Sequence, residues 1–230
     1  MAEGATVWAT DKDVALLDGI PKAGTHNGGR IAFGPDGMLY ATVGDAGRPD
    51  DAQEPRAFGG KILRMTPDGA RPVDNPFPDT LVYSLGHRNA QGLAWAPDGA
   101  LYASEFGQNT WDELNLIRPG ANYGWPEVEG IGRREGFVDP LQQWATSAAS
   151  PSGIAVVGPD LLIANLRGER LRTVPLAAPG TATEQYRETL GRLRDVVRAP
   201  DGSAWILTNN TDGRGDPQPG DDRIVRMGGR

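Results

Sequence analysis

Apolar residues in this chain come in short runs of a few positions, broken by clusters of Gly, Pro, Asp and Asn, and one arrangement recurs four times. It reads "RIAFGPDGMLYATVGD" from Arg30, "GLAWAPDGALYASEFG" from Gly92, "GIAVVGPDLLIANLRG" from Gly153 and "DVVRAPDGSAWILTNN" from Asp195. Each copy predicts a short apolar strand, a turn carrying Pro-Asp with Gly, and a second short strand. Pro presets φ, Asp accepts from nearby backbone amides, and Gly takes the positive φ of a tight hairpin. A third strand follows in every unit: "KILRM" at 61–65, "ELNLI" at 113–117, "RLRTVPL" at 170–176 and "DRIVRM" at 222–227. Antiparallel units repeating every ~40–60 residues predict a β-propeller. A further strand-like piece, "TVWATDKDVALLDGIP", precedes the first unit. The segment 177–191 is expected to connect two blades with one helical turn. No Pro/Gly/Ser-rich stretch separates two halves, so residues 1–230 are expected to form a single, partial propeller domain: about four blades plus part of another.

Composition agrees with a turn-rich all-β chain: 32 Gly and 19 Pro stand among 230 residues, and 38% are hydrophobic. A formal net charge of −7 argues against a nucleic-acid or anionic-membrane partner and for a small molecule or metal. With no cysteine, thiol catalysis, disulfides and zinc–thiolate sites are excluded. No run approaches the ~18 apolar residues of a membrane span. The opening "MAEGATVWATDKD" lacks the basic flank and apolar core of a signal peptide.

Strand direction gathers the chemistry-bearing residues on one face, because first-strand starts and second-strand ends of these hairpins share one sheet end. His26 and "HRN" at 87–89 precede first strands, as does "RLR" at 192–194; Arg167 and "EFGQN" at 105–109 follow second strands. The inventory is one imidazole (His26), three carboxylates (Asp45, Asp112, Glu113) and four guanidinium groups (Arg88, Arg167, Arg192, Arg194). One arginine is readily neutralised by a local carboxylate. Four on one face of an acidic protein call for a polyanionic ligand held bidentately.

The stretches "HNGGRIAFGPDGMLYATVGD", "GKILRM", "LGHRNAQGLAWAPDGALYASEFG", "DELNLI", "NYGWPEVEG", "PSGIAV" and "GRLRDVVRAPDG" occur in that order from about residue 24. In them the chain resembles the soluble quinoprotein aldose (glucose/sorbosone-type) dehydrogenases, six-bladed propellers using pyrroloquinoline quinone (PQQ) and calcium. The resemblance implies oxidation of aldose sugars at the anomeric carbon to lactones. It implies that His26 is the general base, with hydride passing to the quinone, and that Asp45 orients the imidazole. By the same resemblance Arg88 stands against the quinone oxygen with Asn89 beside it. Arg167, Arg192 and Arg194 clamp cofactor carboxylates, the last two alternating on one strand. Main-chain carbonyls of Gly107 and Gln108 hold calcium. Glu113 and Tyr123 resemble ligands of a second, structural calcium site, whose expected acidic ligand is replaced by Arg133. His87 is read as a hydrogen-bonded structural residue, and Trp95, Trp125 and Trp205 as blade packing. Trp111 is placed at the substrate entrance, and Phe106 near the quinone.

The departure from the family lies at the front, where about two blades would precede the histidine motif and 25 residues do so here. Three expectations follow: a truncated chain, a ring completed by another subunit or a second copy, or a shortened relative that has lost catalysis and binds a ligand or protein. A calcium-dependent lactone hydrolase on a similar propeller has no need of four arginines. The resemblance implies a sugar substrate and an unidentified electron acceptor, and a periplasmic or extracellular location.

Overall fold

The computed structural model describes residues 14–228, and they form four antiparallel sheets in chain order. The first contains β1 (Ile31–Phe33), β2 (Leu39–Val43), β3 (Lys61–Met65) and β4 (Val82–Leu85). The second contains β5 (Ala90–Trp95), β6 (Leu101–Glu105), β7 (Trp111–Ile117) and β8 (Gln142–Ala145). The third contains β9 (Pro151–Val157), β10 (Asp160–Asn165), β11 (Arg170–Pro175) and β12 (Thr183–Gln185). The fourth contains β13 (Leu193–Arg198), β14 (Ala204–Thr208) and β15 (Ile224–Arg226). A 3₁₀ turn covers Pro49–Gln53. No helix among the described residues is long and apolar enough to cross a membrane.

The hairpins form for the reason the turn residues give. In the first unit Gly34 donates to the Met38 carbonyl at 2.9 Å and the Asp36 carboxylate accepts from the Met38 amide at 3.1 Å. The same pair of bonds recurs at Ala96–Ala100 with Asp98 and at Ala199–Ser203 with Asp201. The turn glycines 37, 99 and 202 have φ of 75°, 87° and 84°, the region side chains avoid. The third unit closes more tightly, with Val157 opposite Asp160 across Gly158-Pro159.

Side-chain alternation then stacks the sheets as blades. Leu101 and Ala103 of β6 face the first sheet, meeting Tyr40 and Ile62. Tyr102, between them, packs with Ile154, Leu161 and Ile163 of the third sheet. Leu162 and Ala164 of β10 turn the other way, onto Leu193, Val196 and Ile206 of the fourth. First strands lie side by side at the centre, β5 against β9 and β9 against β13. Arg30, just before β1, spans that centre, donating to the Gln91 carbonyl at 3.1 Å and to Asp195 at 3.0 Å.

The outer faces of the end sheets differ. Leu63, Met65 and Val82 of the first sheet are covered by Leu17, Phe58, Phe77 and Leu81, whereas Val197, Trp205, Leu207 and Ile224 of the fourth are exposed.

Three expectations are corrected. Segment 177–191 contains no helical turn but the strand β12, paired with β11 from Leu171↔Gln185 to Thr173↔Thr183; its polar "TEQ" carries no apolar signal. Trp205 does not pack between blades: it is 39% exposed, because the face it belongs to is uncovered. The strand-like piece at 6–21 lies partly outside the described residues, and from residue 14 onward it forms no strand.

Candidate functional site

The turn carrying His26 is folded against the end of β2. His26 itself has φ of 56°, Gly29 donates to the Thr42 carbonyl at 2.9 Å, and Ala46 donates to the His26 carbonyl at 3.1 Å. Contact is so close that a Cβ at Gly44 would lie 1.9 Å from the His26 carbonyl oxygen. Glycine at 44 therefore sets where Asp45 begins. Asn89 secures the turn from the second sheet, its Oδ1 accepting from Gly28 at 3.0 Å.

Asp45 is buried, and its Oδ1 lies 2.8 Å from His26 Nδ1. His26 Nε2 lies 2.6 Å from an Arg88 nitrogen. Arginine only donates, so Nε2 accepts; the ring proton is then on Nδ1 and is donated to Asp45. That tautomer directs the Nε2 lone pair at Arg88. Asp45 Oδ2 accepts from Trp125 Nε1 at 2.9 Å, and the Trp125 ring lies 5.5 Å from the Arg88 guanidinium carbon. Trp125, expected to pack between blades, is part of the site.

Arg88 is the hub. It donates to the Phe106 carbonyl at 3.1 Å, to Gln108 Oε1 at 2.8 Å and to the Gly107 carbonyl. Burial lowers its pKa against the pull of Asp45 and Glu105. Asp112, also buried, is raised by desolvation although it accepts from Ser150 at 2.6 Å and Gly107 at 2.9 Å.

These groups wall a cavity of about 740 Å³ whose lining includes His26, Arg88, Asn89, Phe106, Asp112 and Arg167. Gly107 and Gln108 also line it. Arg214, from the loop after β14, joins them and was not singled out by the sequence. Among the described residues the side chains of Arg167 and Arg214 have no hydrogen bond or ion pair.

Arg192 and Arg194 are placed differently from expectation. Arg192 precedes β13, and the pairing with β14 shifts register between Leu193 and Asp195, so simple alternation is lost. Buried Arg192 is paired with Asp212 at 3.1 Å, and its Nε has no partner. Arg194 donates to Gln91 at 3.3 Å and Ser152 at 3.0 Å. Neither is in the cavity lining. Trp111 is not there either: it begins β7 and packs on Gly130, where a Cβ would lie 2.6 Å from its ring.

Below Arg88 lies a second network. His87 is fully buried, with Nδ1 2.8 Å from Glu105 and Nε2 2.8 Å from Ser84 Oγ, and its ring stacks on Tyr123 at 4.8 Å. Glu105 Oε1 accepts from the backbone of Arg88 and, at 3.1 Å, of Asn89. Glu113 sits opposite Glu105 across the strands; burial first, then that carboxylate, push its pKa well above the usual range. The Tyr123 hydroxyl is committed to the Leu116 carbonyl at 2.7 Å and the Arg118 amide at 2.8 Å, and Arg133 is exposed. Among the described residues no group of three His, Asp or Glu side chains is arranged to hold a metal.

Two observations test the fit of the implied groups. The carbonyls of Phe106 and Gly107 and the side-chain Oε1 of Gln108, now turned to Arg88, are uncharged oxygen donors of the kind calcium takes. Arg192 Nε, buried and orphaned, suits an anionic acceptor. The residues fit both.

Residues 6–220 match the family model described as glucose/sorbosone dehydrogenase. The fold is similar to the PQQ-bound form of aldose sugar dehydrogenase from Streptomyces coelicolor, with TM-score 0.87 and 56% identity, covering 90% of this chain and 63% of that one. It is similar to an oxidoreductase from Thermus thermophilus described as a glucose dehydrogenase, with TM-score 0.86 and 44% identity, covering 93% of this chain and 69% of that one. Aldose sugar dehydrogenase YliI of Escherichia coli K12 is 30% identical over 84% of this chain, which spans 60% of that relative's length.

Proposed function

The chain belongs to the glucose/sorbosone dehydrogenase family, and from that premise we propose that it oxidises aldose sugars at the anomeric carbon with PQQ and calcium. The observation that carries this reading is the polarised histidine. His26 is held by buried Asp45 through Nδ1, with Nε2 turned to Arg88 on the wall of a polar cavity. A carboxylate behind an imidazole fixes its tautomer and stabilises the imidazolium that forms when it takes a proton. His26 Nε2 is the atom that receives the proton of the sugar's anomeric hydroxyl.

Arg88, stiffened by its bonds to three residues of the 106–108 loop, presents a fixed cation where negative charge develops, and so costs little reorganisation. Arg167, Arg192 and Arg194 would hold cofactor carboxylates, with Asn89 beside Arg88. Gly107 and Gln108 would hold calcium. When bound, PQQ supplies the two-electron acceptor for hydride and calcium a Lewis acid beside it. Phe106 offers an aromatic wall to the cavity. The four sheets are read as one propeller domain. A periplasmic or extracellular location accompanies this reading by resemblance.

Reconstitution of the 230-residue chain with PQQ and Ca²⁺, followed by sugar-dependent dye reduction and cofactor absorbance, tests it. Turnover supports the enzyme reading; absence of cofactor binding rejects it for this chain. A second reading has its own observation. The exposed apolar face of Val197, Trp205, Leu207 and Ile224 suits a propeller that binds another protein, a second copy or a ring-completing subunit among them. It predicts association without dye reduction.

A further inference from the structure

We infer that Glu129 is the positioning residue that, by holding the 108–111 amides, fixes the Gly107 and Gln108 carbonyls on the cavity side of the loop. One of its oxygens, Oε1, accepts from four successive backbone amides: Gln108 at 2.8 Å, Asn109 at 3.2 Å, Thr110 at 3.1 Å and Trp111 at 3.1 Å. Successive amides converging on one anion make a nest, and the alternation of amide and carbonyl along the chain then turns carbonyls away from that side. The neighbouring amides are claimed in the same sense. Gly107 donates to Asp112 at 2.9 Å and Phe106 to the Asn89 carbonyl at 3.2 Å. Every amide from 106 to 111 is thus occupied within the protein, while the Phe106 and Gly107 carbonyls accept from the Arg88 guanidinium.

The carboxylate is itself held in place. Val128 donates to the Gly124 carbonyl at 2.8 Å and Gly130 to Glu113 at 2.7 Å, fixing the backbone on both sides of Glu129. Gly107 lets it come close: a Cβ there would lie 2.8 Å from Glu129 Oε1 and 1.7 Å from the Trp111 carbonyl oxygen. Glu129 acts on the site through the loop, with no contact to Arg88 of its own required.

This inference rests on the reading of Gly107 and Gln108 as calcium-facing, and metal binding separates the two. Calcium affinity of the full chain is measured by calorimetry, and again with Tb³⁺ by luminescence sensitised from tryptophan, for wild type, Glu129→Ala and Glu129→Gln. Wild type binds; Glu129→Ala loses roughly 10–100-fold in affinity, the range for a group that orients metal ligands without touching the ion. Glu129→Gln, whose amide oxygen still accepts the four N–H groups, stays within about threefold of wild type. Amides 108–111 exchange hydrogen faster in the alanine variant. Wild-type affinity in Glu129→Ala overturns the inference, as does a loss in Glu129→Gln as large as in alanine, which assigns the effect to charge alone. Where the alanine variant does not fold, Glu129→Asp carries the test, because it keeps the charge and shortens the reach by one methylene. Weakened binding supports the inference and unchanged binding overturns it. No metal binding in wild type rejects the calcium reading instead.

Discussion

The two histidines make the same first contact and differ in everything after it. His26 and His87 each place Nδ1 2.8 Å from a buried carboxylate, Asp45 in one case and Glu105 in the other. His26 then turns Nε2 to Arg88 at the cavity wall, with its side chain 21% exposed. His87 turns Nε2 to Ser84 Oγ and is sealed under Tyr123. A Ser–His–Glu series without access is a structural bond network; an Asp–His pair with access is a candidate base. The carboxylate orients an imidazole, and exposure of the other nitrogen decides what it can do. The buried pair also serves the open one, since Glu105 holds the backbone of Arg88 and Asn89.

The comparison breaks most visibly at His26. In the reconstituted chain, His26→Ala lowers turnover by ~10²–10⁴, the effect of a lost general base. Cofactor absorbance persists, and stability falls by only about 1 kcal/mol, because buried Asp45 keeps its bonds from Gly47 and Trp125. His87→Ala reverses that profile: urea denaturation shows a loss of about 2–3 kcal/mol, because Glu105 and Ser84 each lose a buried bond to the ring. A turnover loss in His87→Ala equal to that of His26→Ala would refute the division of roles.

Acidity sharpens the contrast further. Glu113 has a folded-state pKa raised by burial and by Glu105, so the folded protein holds its proton more tightly than the unfolded chain. Its contribution to stability is complete in acid, below the ordinary glutamate range, and declines as pH rises through the folded value. Melting temperature followed against pH in calcium-free buffer therefore falls less steeply for Glu113→Gln than for wild type. The smallest effect is expected at Trp125→Phe. It removes the 2.9 Å bond to Asp45, costs about 0.5–1.5 kcal/mol in urea, and lowers turnover less than His26→Ala does.

Much of the fold was legible along the chain. The Pro-Asp-Gly turns and the alternating strands on either side located the first three strands of every sheet. Fourth strands were not legible: β4 follows a proline-rich coil, β8 is half polar, and β12 is "TEQ". Such strands are recruited by the open edge of the sheet rather than by apolar periodicity. The site was legible as a set of loops on one face, and His26, Asp45 and Arg88 do meet. The alternation of Arg192 and Arg194 on one strand was not legible, because Arg192 precedes β13 and a register shift is invisible in a sequence that alternates on paper. Trp125 read as one more core aromatic; its only distinguishing signal was its place in "NYGWPEVEG", close to Glu129.

The sequence by itself determined the hairpins, because turn residues act within four positions of themselves. It also determined the residue types of the site, because charge and proton affinity are carried by each side chain. Only the tertiary structure decided the partners each histidine makes, which arginines are already neutralised and which carboxylate the 108–111 amides share. Those partners lie far apart in the chain, 80 residues in the case of Asp45 and Trp125. Their distances are fixed by blade stacking, to which no local pattern refers.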